Sequence, residues 1–152
     1  MNLGFRTKWP DGSKTYFPEK IMKSLGYHTI GHQFDLNISK NCKPKIHTIR
    51  EDKKNRWKKG NDIHFIINNR KKNRLQFMPI IHVISVQTIK IEWIQEEIEI
   101  RSMQIEVDNH QLNFVEIKEL AINDGFDSLE EFMKWFNKDF RGKIIHWTNF
   151  KY

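Results

Sequence analysis

Between Lys43 and Asn61 the chain sets cations, a hydroxyl and an indole at spacings that suit an anionic ligand. The run is Lys43-Pro44-Lys45-Ile46-His47-Thr48-Ile49-Arg50-Glu51-Asp52, followed by Arg56-Trp57-Lys58-Lys59-Gly60-Asn61. In an extended segment alternate residues share a face, so Ile46, Thr48 and Arg50 project together. Lys45 falls on the other parity with His47, and a bend after Pro44 can bring its long side chain round. Arginine grips phosphate through a two-pronged fork and lysine as a point charge. A threonine hydroxyl between them can donate, accept, or attack a carbonyl if a base activates it. Trp57 either offers a flat face to a base or packs at the rim of the fold.

The elements that must hold these groups follow from periodicity. Gly4 to Trp9 alternates as a half-buried strand does, and Pro10-Asp11-Gly12-Ser13 reads as a turn. Phe17 to Gly26 predicts a short helix, with Pro18 in its first turn, Ile21 above Leu25 and Gly26 as its stop. Tyr27 to Lys43 shows no regular pattern. Lys45 to Ile49 reads as a short strand, and Asp62 to Ile67 as a strand introduced by the turn at Gly60. Arg70-Lys71-Lys72-Asn73-Arg74 is expected to be an exposed hairpin loop, because like charges repel when buried. Pro79 to Trp93 is rich in β-branched residues, and Glu97 to Val107 alternates through Ile98, Ile100, Met103, Ile105 and Val107 with a slip near Ser102 that suggests a bulge.

After a turn at Asp108-Asn109-His110 the chain returns through Gln111 to Phe114. A helix is expected from about Val115 to Asn123, stopped by Gly125. A second carries a capping box, Ser128 with Glu131, and an apolar side of Leu129, Phe132, Met133 and Phe136. Gly142 to Trp147 closes as a strand. Many strands and few helices predict an α+β fold with a mixed β-barrel of about six or seven strands, flanked by three or more helices.

At 152 residues, with 38% apolar residues but five Trp and 11 Phe, the chain suits one domain spanning residues 1–152 with an aromatic-rich core. No stretch approaches the roughly 20 apolar residues of a membrane span, and the opening residues lack the apolar core of a signal peptide. A cytoplasmic location and no membrane association are therefore expected. Cys42 is the only cysteine, which excludes an internal disulfide and a multi-cysteine metal site. His28 and His32 stand four apart without a third ligand, so no metal and no cofactor is expected. Residues 1–75 hold 18 Lys/Arg against six Asp/Glu, while residues 76–152 hold eight against 13. Such asymmetry predicts a basic face that attracts polyanions.

Lys45-Ile46-His47-Thr48-Ile49-Arg50 resembles the Lys-x-x-Thr-x-Arg core of the ASCH domain, with Lys43 where that family usually carries glycine. Trp57-Lys58-Lys59-Gly60, Leu120 to Phe132 and Ile144-Ile145-His146-Trp147-Thr148 are similar to further ASCH segments, so the resemblance covers about residues 17–152. It implies a PUA-like barrel that binds RNA, single-stranded nucleic acid or a modified nucleoside in a basic cleft. Of the residues expected to bind, Arg50, Trp57 and Lys58 fall in segments that the resemblance covers, while Lys43, Arg56, Arg70, Lys71 and Lys72 are expected from their charge, the last three either as phosphate contacts or as a solvated loop. Some small bacterial members are amidohydrolases that deacylate N4-acetylcytidine. That alternative implies Lys45, Thr48 and Asp124 as catalytic, with Asp124 where those enzymes carry glutamate. A third reading is a protein-interaction module whose basic face meets an acidic partner.

Overall fold

The computed structural model describes residues 1–27, 42–95 and 101–152. His28, His32, Ile98 and Ile100 lie outside them. Along the described chain run β1 (Asn2–Phe5), α1 (Phe17–Ser24), β2 (His47–Arg50), β3 (Asp62–Ile67), β4 (Leu75–Gln76), β5 (Ile81–His82), β6 (Ser85–Gln95), β7 (Arg101–Val107) and β8 (His110–Gln111). Two helices, here α2 (Phe114–Asn123) and α3 (Leu129–Trp135), precede β9 (Phe140–His146).

The α+β class holds, but the described strands pair as two sheets without closing into a single ring. In the first, β3 takes β1 in parallel and β4 and β5 antiparallel. The second, in the order β2-β9-β6-β7-β8, is antiparallel throughout. The C-terminal strand β9 is therefore interior, flanked by β2 and β6. Alternation along the strands explains why the second sheet can be covered on both faces. Ile145 and Trp147 face one core with Phe5, Phe65 and α1's Ile21, while Ile144 and Ile49 face another built on Leu120 and Phe132 of the helices.

Local sequence accounts for the boundaries. α2 starts at a reciprocal capping box, Asn113 accepting from the Glu116 amide and Glu116 from the Asn113 amide. The box expected at Ser128 is only half formed: Ser128 accepts from the Glu131 amide, but the Glu131 carboxylate turns to the Asp127 amide. The slip expected near Ser102 is also absent from the described ladder, where Arg101 to Val107 pairs without interruption with Gln95 to Ile89. Among the described residues no helix is long and apolar enough to cross a membrane.

Candidate functional site

Lys45 lies where the chain threads between α1 and the end of α2. Its amide donates to the Lys20 carbonyl and the Ile46 amide to that of Asn123, each at 3.0 Å. The side chain then passes under Gly125, whose φ is +93°. A Cβ on Gly125 would sit 2.9 Å from Lys45 Cδ and 3.1 Å from the Phe17 ring, so backbone conformation and space both require glycine. Nζ donates to Asp124 Oδ1 at 2.6 Å and to the Asp124 carbonyl, and lies 4.9 Å from the centre of the Phe17 ring. Asp124 is brought there by the C-terminal cap of α2. Its Oδ1 also accepts from the Ile49 amide at 3.1 Å, fastening helix end to strand.

Both members of this pair are buried, Lys45 to 1% and Asp124 to 4% exposure. Burial disfavours the ammonium and pushes Lys45 down to about 8, although Asp124 pulls the other way; Arg50 and Lys20 add to the fall. For Asp124 burial acts upward, yet Lys45 and His47 outweigh it and hold the carboxyl below its ordinary range. His47 is also buried, and burial lowers its pKa. Tyr152 Oη accepts from Asn123 Nδ2 at 3.0 Å and lies 2.8 Å from His47 Nε2, where the imidazole tautomer sets which of the two donates. His47 Nδ1 stands 3.7 Å from Asp124 Oδ1, too far for a direct hydrogen bond.

Thr48 pairs with Ile145 across β2 and β9 and is fully buried, and its hydroxyl has no hydrogen-bond partner. The structure thus joins Lys45 to Asp124, and no hydrogen bond links Thr48 to either. Arg50 is committed to main chain, donating to the Gly4 carbonyl at 2.9 Å and the Ile49 carbonyl at 3.0 Å, with its guanidinium 5.3 Å from the Phe5 ring centre. Lys45, Thr48 and Arg50 therefore do not open together on a solvent-reachable hollow. Trp57 is 6% exposed inside the first core, so the packing alternative applies and no open face remains for a base. Lys43, Arg56, Lys58, Arg70, Lys71 and Lys72 are exposed.

Two of these exposed cations meet a pair that the motif did not single out. A cleft of about 450 Å³ lies between the segment leaving β1 and the turn joining β3 to β4. Arg6 and Lys8 line it from one side and Arg70 and Lys71 from the other, with Asn68 and Asn69 also in the wall and no carboxylate in the lining. None of the four cations is in an ion pair among the described residues. The alternation from Gly4 to Trp9 was the signal that could have found Arg6 and Lys8, since it sets both outward.

No protein-family model, curated protein or solved structure matches this chain. The chemistry therefore rests on the geometry. Four unpaired cations around one concavity concentrate positive potential where an anionic chain can follow it. The buried Lys45–Asp124 pair offers a titratable amine and a held carboxylate. Among the described residues no group of three His, Cys, Asp or Glu is placed to hold a metal ion.

Sequence reasoning missed Lys20 and Tyr152, and placed His47 only by its parity with Lys45. Lys20 is 2% exposed and donates to the Gly125 carbonyl at 2.7 Å and to Asp127 at 2.6 Å, bracing the same turn. Nothing in the spacing of Phe17 to Gly26 marks it, because a lysine beside Ile21 reads as the solvent edge of a helix.

Proposed function

We propose that this chain binds single-stranded nucleic acid, with phosphates seated between Arg6, Lys8, Arg70 and Lys71. The observation that carries the reading is the cleft itself, four cations in one wall system without a carboxylate. Helical duplex would demand a broader basic surface, whereas a single strand can lay successive phosphates along a narrow one. The excess of Lys/Arg in residues 1–75 supports it. On the Lys45-to-Arg50 spacing we separately read the chain as an ASCH-type domain of PUA-like fold, its two sheets the counterpart of that family's barrel, although the side chains of that motif lie outside the cleft. Salt titration tests this directly. Binding of a labelled oligonucleotide should weaken as salt rises, with a log–log slope of roughly −3 if all four cations meet phosphate. A slope near zero would dismiss it.

A second reading, deacylation of an N4-acylated cytidine, is favoured by one specific contact. Asp124 is one methylene shorter than glutamate, yet it meets Lys45 at 2.6 Å, and a lysine near 8 holds free base at neutral to mildly alkaline pH. On this reading Thr48 Oγ bonds to the acyl carbon, Lys45 takes the hydroxyl proton, and the cytosine amine leaves with a proton. Water then releases the acid and restores Thr48. Because Lys45 and Thr48 are buried, the reading requires the site to open. Thr48→Ala should abolish release of cytidine from N4-acetylcytidine; retained turnover in that variant would remove Thr48 from the mechanism.

A further inference from the structure

We infer that the cleft between Trp9 and Trp135 receives an unpaired base of the strand whose phosphates occupy the basic cleft, an inference that rests on the nucleic-acid reading above. This second cleft holds about 330 Å³ and is lined by Trp9 and Trp135 together with Asp11, Glu131 and Lys134. Trp135 sits at the end of α3 with 39% of its surface exposed, one of the few large apolar side chains so placed. The two indoles meet at 5.7 Å and 70°, forming a corner backed by Phe126, 5.4 Å from Trp9.

Arg6 connects the two clefts. It lines the basic cleft, and its guanidinium carbon stands 5.0 Å from the centre of the Trp135 ring. A nucleotide whose phosphate meets Arg6 therefore has its base beside Trp135. Charge decides which part of the nucleotide goes where. Asp11, held ionised by its hydrogen bonds from the Ser13 amide and hydroxyl, and Glu131 both border the indole cleft. They repel phosphate and tolerate a neutral base. The basic cleft lacks such carboxylates and takes the phosphate. Lys134 is already paired with Glu130 at 2.7 Å, so it does not draw a phosphate across. Trp9 is half-buried and Arg6 lies over the Trp135 ring, so a base would meet the part of Trp135 that Arg6 and Trp9 leave open. Cations beside an aromatic ring are the general arrangement by which proteins hold single strands, because every base has a π face to stack.

The test pairs protein variants with a modified strand. Wild type, Trp135→Ala and Trp135→Phe are titrated against a single-stranded oligonucleotide and an abasic strand of equal length, with circular dichroism to check folding. Wild type should prefer the base-bearing strand roughly ten-fold. Trp135→Ala should lose that preference while keeping the salt slope, and Trp135→Phe should retain most of it. The abasic comparison in wild type needs no mutation, so a poorly folded variant leaves the test intact. If wild type binds the base-bearing and abasic strands equally, with its salt slope present, the base site is wrong and the phosphate cleft stands. Binding of neither strand overturns the nucleic-acid reading, and the base site with it.

Discussion

Lys45 is the residue at which burial and chemistry conflict most openly. An ammonium at 1% exposure is sustained by Asp124 and the Phe17 face, and removing one partner from such a pair strands the other charge. The linkage has a definite sign. The folded-state value near 8 lies below the ordinary 10.5, so the unfolded chain holds this proton more tightly. Below pH 8 both states are protonated and the burial cost is full. Between about 8 and 10.5 only the unfolded state keeps the proton, and stability rises with pH, by about 3 kcal/mol across that window. Urea denaturation at pH 7 and pH 10 should show wild type gaining on Lys45→Met by that order. Parallel behaviour would mean Lys45 titrates normally.

At the scale of elements, the site depends on two glycines that permit close approach. Gly142 sits on β9 beside β2, where a Cβ would fall 2.4 Å from the Arg50 carbonyl and 2.6 Å from the Phe140 ring. Gly142→Ala must push β2 and β9 apart and should cost about 1–3 kcal/mol, read as a shift in the denaturation midpoint; an unshifted midpoint would show that Arg50 is free to move. Much of this layer was legible in the sequence. β3 is where the apolar run after Gly60 set it, from Asp62 to Ile67, and the exposed Arg70–Arg74 turn follows from charge repulsion. The capping boxes were less legible. Asn113–Glu116 was hidden because Asn113 reads as part of a returning strand, and Ser128–Glu131 has the right spacing but loses Glu131 to the Asp127 amide. Parity correctly separated Lys45 and His47 from Thr48 and Arg50. It could not show that Asp124, 79 residues further on, would be the group that Lys45 meets.

On the scale of the whole molecule, one central sheet serves two cores, and chemistry divides accordingly. The buried pair belongs to the seam between α1, α2 and β2, while the cations that sequence spacing attached to it lie elsewhere. Arg70 and Lys71 join Arg6 and Lys8 at the end of the first sheet, just past the paired ends of β1 and β3; Lys43, Arg56 and Lys58 are exposed outside that cleft. Linear order could not reveal this grouping, because β1 reaches β3 by parallel pairing over some 60 residues of chain. Net charge of +7 supplies long-range attraction to any polyanion. The cleft makes the stronger claim that a particular four of the 26 basic residues carry the binding.

Charge reversal within the cleft tests that claim most directly. Affinity for a short labelled single strand is measured across a salt series for wild type and for Arg70→Glu combined with Lys71→Glu. Loss of two phosphate contacts should weaken binding at least ten-fold near 0.1 M salt and flatten the log–log slope by roughly 1.4. A double variant that binds with wild-type affinity and an unaltered slope would contradict the account.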